Sequence, residues 1–211
     1  GNHMKILAIS QRVERIPNHQ EQRDCLDQRW ACLSHNLGFI PVPLPNLSTP
    51  EDIISTVRPA AILLSGGGTL SKLDPTATDI SPARDKFEQE LLRLAIKNNI
   101  PVLGVCRGMQ LINMFFGGEL SKVSEHVACR HLVEFIDKDI SLNSREINSF
   151  HNWGIKKSQL ADSLSPFAIS QDKTIEGFKH KELPIAGIMW HPEREQPNNE
   201  EDLRIIKNFL L

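Results

Sequence analysis

Two uninterrupted apolar runs, each ending on glycine, constrain this chain more than any other feature. Ala60-Ala61-Ile62-Leu63-Leu64-Ser65 empties into Gly66-Gly67-Gly68, and Ile100-Pro101-Val102-Leu103 leads into Gly104-Val105-Cys106-Arg107-Gly108. A strand that is apolar on both faces must be covered on both, as in a parallel sheet with helices above and below. The surrounding pattern alternates to match. Residues 4–10 read as a buried first strand, 21–37 as an amphipathic helix stopped by Gly38, and 39–44 as a second strand. Residues 49–57 read as a short helix and 84–98 as a charged amphipathic helix. The expectation is an α/β fold, a mostly parallel sheet with helices on both faces, whose ligands bind at the carboxyl ends of the strands. After Gly118 shorter strands follow, at 131–136, 146–150, 167–170, 174–178 and 185–190, and these suit antiparallel additions. The last helix, 201–211, places Leu203, Ile206, Phe209 and Leu210 at core spacing.

The second glycine-bounded run carries a nucleophile. Cys106 stands between an apolar strand and the helix-like residues 109–116, with Gly104 and Gly108 two positions away on either side. That is the pattern of a nucleophile elbow, in which side chains at the flanking positions would collide with neighbouring backbone. A lone cysteine at a strand end is most often a small buried hydrophobe, but the strand-turn-helix setting reverses that reading. A thiol at a helix N-terminus meets unpaired N–H groups and the positive end of the helix dipole, both favouring thiolate. His191 ends the apolar run 184–190, and Pro192 is expected to hold it extended, so that Glu193, two residues on, faces the same side and orients the imidazole. Cys106, His191 and Glu193 then form a nucleophile, base and orienting acid.

The glycine run 66–68 is not a phosphate loop, because no Gly-Lys-Ser/Thr follows it and the GxGxxG spacing is missing. Residues 69–82 are rich in Asp, Thr, Ser and Pro and longer than an ordinary connection, which suits a flap over the site. With 211 residues and no break in composition, the chain reads as one domain, 1–211. Gly1-Asn2-His3 before Met4 looks like a cloning remnant rather than a targeting signal. A net charge of −2, from 24 basic and 26 acidic residues, supplies no general attraction for nucleic acid or anionic membrane, and no apolar run nears the roughly 20 residues that span a bilayer. A cytoplasmic location is expected. Cys25, Cys32, Cys106 and Cys129 lack CxxC spacing; on the predicted helix Cys25 and Cys32 share a face but lie roughly 10 Å apart, beyond disulfide reach. His126, His131 and His151 show no ligand spacing either, so neither a metal nor a cofactor is expected.

Cys106-Arg107-Gly108-Met109-Gln110, Ser65-Gly66-Gly67-Gly68 and Trp190-His191-Pro192-Glu193 resemble the class I glutamine amidotransferases over nearly the whole chain. Arg84-Asp85-Lys86-Phe87-Glu88, residues 113–120 and Asn148-Ser149-Phe150-His151 are similar to the gamma-glutamyl hydrolase branch of that superfamily. The resemblance implies a flavodoxin-like sheet, a Cys106/His191/Glu193 triad and cleavage of a gamma-glutamyl amide through a thioester. It further implies that the backbone N–H groups of Gly67 and Arg107 bind the oxyanion, and that Gly68, Gln110, His151, Asn152 and Trp153 surround the glutamyl group. Asn152-Trp153 departs from the His-Gln often found there in the aminobutyrate hydrolases, so the leaving amine is open. The chain also looks like the gamma-glutamyl-CDP-amidate hydrolases of capsule phosphoramidate biosynthesis. A diphosphate leaving group needs cations, and Arg12, Arg15, His19 and Arg23 after strand one, with Lys72 on the flap, are candidates. A small-molecule gamma-glutamyl substrate is the expected partner, and a stand-alone hydrolase is favoured over a glutaminase component serving a synthase.

Overall fold

The computed structural model describes residues 4–124, 127 and 129–211. His126, one of the three histidines weighed above as metal ligands, lies outside them. Strand β1 (Lys5–Ile9) pairs in parallel with β4 (Phe39–Pro43) on one side and β5 (Ala61–Leu64) on the other. Beyond β5 come β6 (Val102–Val105) and β13 (Ile185–Ile188), also parallel. In chain order these five parallel strands run second, first, third, fourth, fifth across the sheet, which is the flavodoxin-like winding. The expected mostly parallel α/β sheet is extended past β13 by antiparallel β12 (Ile175–His180), β11 (Leu164–Ser170), β8 (Cys129–Phe135) and β9 (Arg145–Ser149), giving nine strands among the described residues. A further short antiparallel pair joins β7 (Ser121–Lys122) to β10 (Trp153–Gly154).

The helices fall into two groups, as a sheet covered on both faces requires. Helix α1 (Arg29–Leu37) packs on β4 and on α5 (Glu200–Leu210), while α2 (Pro50–Val57), α3 (Pro82–Lys97) and α4 (Arg107–Phe115) pack on one another in sequence. Both β5 and β6 are buried along their whole length, as their unbroken apolar runs demanded. Helix α5 is anchored by Asp202, which accepts a 3.0 Å hydrogen bond from the Trp190 indole and pairs with Arg145. None of the helices among the described residues is long and apolar enough to cross a membrane.

One expected helix is only half present. Residues 21–37 divide into β3 (Gln22–Cys25) and the shorter α1, and β3 pairs with β2 (Arg12–Arg15) in a separate two-stranded ribbon. The turn between them contains Pro17 and Asn18, with Asn18 in the left-handed region at φ 63°, where asparagine is tolerated. Tertiary hydrogen bonds outweigh the helical preference of this stretch: the Asp24 carboxylate accepts from both the backbone N–H and the side-chain amide of Asn46, at 3.0 and 2.8 Å. Asp27 then accepts from the Arg29 N–H at 2.9 Å, where α1 begins. Cys25 and Cys32 therefore sit on different elements, not on one helical face, and neither forms a disulfide.

Backbone packs closely where α4 meets the sheet. A β-carbon on Gly104 would lie 2.5 Å from the Gly108 carbonyl carbon, and one on Gly108 would run into the Leu64 carbonyl of β5. The flanking glycines are thus required by contact between two strands and the first turn of the helix. Gly108→Ala is expected to lower the unfolding free energy by about 1–3 kcal/mol, read from urea denaturation, while Gly117→Ala, where a β-carbon meets nothing within 4 Å but φ is +95°, serves as a control for backbone strain alone.

Candidate active site

Cys106 holds the turn between β6 and α4 with φ 55° and ψ −104°, a conformation a non-glycine residue adopts at a cost. The cost is met by its neighbours: the Cys106 N–H donates to the Ile188 carbonyl of β13 at 2.8 Å, and its own carbonyl accepts from the Gln110 N–H at 3.0 Å. Sheet and helix therefore hold the cysteine from both sides. This is the strained elbow that the glycine spacing predicted.

His191 follows β13 and is buried, as is Glu193. Its Nδ1 lies 2.9 Å from Glu193 Oε2, the pairing expected, but the connecting backbone is not extended throughout. Pro192–Arg194 forms a 3₁₀ turn, because proline's fixed φ suits a first helical position, and the turn folds Glu193 back under the imidazole. Burial works against the imidazolium, yet the charge of Cys106 and hydrogen bonds to Cys106 and Glu193 outweigh it, raising His191 to about 9. Asn148 on β9, quoted above only as part of a family motif, fixes the histidine's backbone: its amide donates to the His191 carbonyl and accepts from the His191 N–H, both at 2.8 Å. The Phe150 ring meets the imidazole edge-on at 5.9 Å and is itself covered by the Arg194 guanidinium at 4.4 Å.

The glycine loop after β5 runs alongside this pair. A β-carbon on Gly66 would lie 2.7 Å from His191 Cε1 and 3.5 Å from the Cys106 β-carbon. Gly67 has φ +93°, and a β-carbon there would touch the Arg12 guanidinium at 2.8 Å. The Arg107 side chain is buried and paired with Asp85 and Glu88 on α3, while its backbone begins α4 directly after Cys106. Gln110 is buried and donates to the Trp153 carbonyl at 3.2 Å; the same carbonyl lies 2.8 Å from His151 Nδ1. His151 Nε2 faces Glu176, 3.8 Å away, and His131 Nε2 lies 3.2 Å from the same carboxylate. Gln110, His151 and Trp153 thus meet at one carbonyl, whereas the Asn152 side chain is exposed and its carbonyl accepts from Val123 N–H. Among the described residues no group of three His, Cys, Asp or Glu side chains is arranged to hold a metal ion.

The candidate cations divide. The ribbon carries Arg12 and Arg15 to a cavity of about 210 Å³ whose walls include Gly67, Gly68 and the flap residues Thr78 to Ser81, and Arg15 donates to the Thr78 carbonyl at 3.3 Å. Arg23 instead pairs with Glu21 in solvent, His19 lies in the exposed ribbon turn, and Lys72 lines a different cavity between the flap, α3 and α4. The flap is closed on itself by a bridge between Thr69 and Ile80 and tied to α3 by Ser71, whose backbone N–H and hydroxyl donate to Asp85. The residues hardest to see from sequence were Asn148 and Arg84. Their one legible signal was membership of the motifs that resemble the hydrolase branch, which named the residues without their roles.

Because the His191 value lies above that of an unfolded imidazole, about 6.5, its protonation stabilises the fold fully below that value and the contribution is lost as pH rises through about 9. An NMR titration is expected to show the imidazolium persisting to about pH 9 and, in Cys106→Ala, titrating nearer the ordinary value; an unchanged midpoint would remove the thiol as a cause.

Comparison with known proteins gives the family. The family model described as Peptidase C26 matches residues 5–193. The gamma-glutamyl-CDP-amidate hydrolase of Campylobacter jejuni is 34% identical over 210 residues, covering 97% of this chain and 96% of that protein. The glutamine-hydrolysing GMP synthase component of Pyrococcus abyssi is 30% identical over 182 residues, covering 85% of this chain and 88% of that protein. In fold alone, the solved structure of a Thermotoga maritima glutamine amidotransferase matches with a TM-score of 0.64 at 14% identity, over 99% of this chain and 85% of that one. The chain belongs to the Peptidase C26 family of class I glutamine amidotransferase-like proteins.

Proposed function

We propose that this glutamine amidotransferase-like hydrolase cleaves a gamma-glutamyl amide through a thioester on Cys106, releasing glutamate, and that its substrate is gamma-glutamyl-CDP-amidate. The observation that carries the chemistry is the strained Cys106 at a helix N-terminus, in hydrogen-bond contact with an imidazole raised to about 9. In this reading the Cys106 sulfur attacks the gamma-carbonyl and forms a C–S bond while the carbonyl electrons move to oxygen. The Gly67 and Arg107 N–H groups receive that oxyanion. As it collapses, the C–N bond breaks and His191, oriented by Glu193, gives its proton to the departing nitrogen. His191 then takes a proton from water, whose oxygen attacks the thioester; glutamate leaves and Cys106 is restored. Gln110, His151, Asn152 and Trp153, with Gly68, surround the glutamyl group.

The choice of substrate rests on the full-length similarity to the Campylobacter hydrolase and on Arg12 and Arg15, which border the glycine loop where a leaving diphosphate would emerge. Arg12 already has a partner in Glu14 at 2.8 Å, both side chains being partly exposed, so a more highly charged anion exchanges one partly solvated ion pair for another. The products would be glutamate and cytidine diphosphoramidate, placing the protein in capsule phosphoramidate biosynthesis in the cytoplasm. The similarity to GMP synthase components favours a second reading, a glutaminase that passes ammonia to a synthase partner.

A turnover screen of the isolated chain separates the two. The hydrolase reading expects glutamate release from the CDP-amidate without any partner, at a kcat/KM well above that for glutamine or gamma-glutamyl-aminobutyrate; equal or better turnover of glutamine would overturn the substrate. Folded Cys106→Ala should lose at least about 10³-fold in kcat. Arg12→Ala should raise KM for the CDP-amidate about tenfold, the worth of one charge-assisted contact, and leave KM for gamma-glutamyl-aminobutyrate unchanged. In wild type, kcat/KM should fall on the alkaline side near pH 9 as His191 loses the proton destined for the leaving nitrogen.

A further inference from the structure

Beneath the glycine loop lies a buried group of charges to which the reaction above gives no role. It consists of Arg84, Asp85 and Glu88 from α3 and Arg107 from the first turn of α4, and its two cations and two anions balance. Ser10 at the end of β1 joins it, donating to Glu88 Oε2 at 2.5 Å and accepting from the Ser65 N–H at 3.0 Å. The Arg84 guanidinium is almost wholly enclosed and spends its donors on the loop. Nη1 reaches the Gly67 carbonyl at 2.6 Å, and Nη2 reaches the Ser65 carbonyl at 2.9 Å, the Ser65 hydroxyl at 3.2 Å and the Gly66 carbonyl at 3.2 Å. Nε lies 3.3 Å from Glu88 Oε1. Every hydrogen bond the Arg84 guanidinium makes goes to the loop, so its effect on the reaction is expected to run through the loop.

Three consecutive carbonyls turned toward one cation is an arrangement a glycine chain does not adopt unaided. A trans peptide is planar, and its C=O and the N–H of the following residue point in opposite directions. Holding the Gly66 carbonyl against Arg84 therefore turns the Gly67 N–H away from Arg84, and holding the Gly67 carbonyl does the same for Gly68. Glycine at 66 to 68 makes these peptides free to rotate, with φ reaching +93° and +85° at the last two, so something must fix them. The acids that neutralise Arg84 also bind the Arg107 side chain, and so tie down the residue whose N–H lies at the start of α4.

We propose that Arg84 is a positioning residue: with Asp85 and Glu88 it presets both oxyanion-binding N–H groups, that of Gly67 by gripping the loop carbonyls and that of Arg107 by anchoring its side chain. The inference rests on the hydrolase reading. A failure of that reading appears in wild type as no turnover of any gamma-glutamyl amide, whereas a failure of the inference appears as an Arg84 variant that matches an active wild type.

The test compares wild type, Arg84→Met and Arg84→Lys by kinetics and by affinity for glutamate gamma-semialdehyde. The Cys106 sulfur adds to that aldehyde carbon, and the former carbonyl oxygen of the hemithioacetal takes the oxyanion's place. Misaligning a donor is expected to lower kcat about 10²-fold, near the cost of deleting one, with KM within about threefold. Aldehyde affinity should fall in parallel with kcat, and Arg84→Lys, which keeps the charge but cannot fork to three carbonyls, should fall nearly as far. In Arg84→Ala, millimolar guanidinium should restore part of kcat without changing the thermal midpoint. Wild-type kcat in a folded Arg84→Met, or a loss shared equally by kcat, KM and stability with no guanidinium rescue, would overturn the proposal. If Arg84→Met fails to fold, Arg84→Lys decides on the same readouts: selective loss of kcat and aldehyde affinity supports it, and unchanged kcat overturns it.

Discussion

The contact on which the rest of the structure depends is the one between the first turn of α4 and the two strands beneath it. Gly108 lies against the Leu64 carbonyl and Gly104 lies under the Gly108 backbone, so helix and sheet approach to a distance that no side chain permits. Only at that distance does the helix begin directly over the end of β6, with Cys106 forced to φ 55° between them. It also brings Arg107 within reach of α3, and places the start of α4 beside the loop that leaves β5. Elbow, glycine loop and buried charges are all consequences of one close approach.

The remaining parts arrive from other strand ends. The Ser10 region follows β1, the glycine loop follows β5, Cys106 follows β6 and His191 follows β13, so the site gathers at one edge of a parallel sheet, as open α/β sheets dictate. The antiparallel half contributes by support. Asn148 at the end of β9 binds both backbone groups of His191, although 43 residues separate them in sequence. The imidazole is thus held on three sides, by Glu193 at its ring nitrogen, by Asn148 at its backbone and by Phe150 at its edge.

Most of the sheet was legible in the sequence because its strands are continuous apolar runs, and a buried parallel strand has no other way to look. The elbow was legible because close packing leaves glycine as the only solution at two positions. Where the reading failed, at residues 21–28, the segment is polar and short, and its conformation is decided by bonds to Asn46 and to β2 that no local pattern contains. The His191 to Glu193 pairing was anticipated while its backbone was not, since an extended strand and a 3₁₀ turn can both bring residues two apart into contact. The motifs that resemble the hydrolase branch included Arg84 and Asn148, but their roles were not legible for a common reason: each acts on the backbone of another segment, and a residue that bonds to main chain leaves no complementary residue type to search for.

The ribbon formed by β2 and β3 has an implication for how this fold changes over time. It lies outside the nine-stranded sheet, and a lone two-stranded ribbon has little stability of its own. Its attachments are few and polar, chiefly Asp24 to Asn46 and Arg15 to the flap. Lengthening it, shortening it or replacing its arginines leaves the packing of glycine against strand untouched. In the function proposed above, chemistry and selectivity are carried by separable parts of the chain, so that new leaving groups can be accommodated by redrawing an appendage while the bond-breaking apparatus is inherited whole.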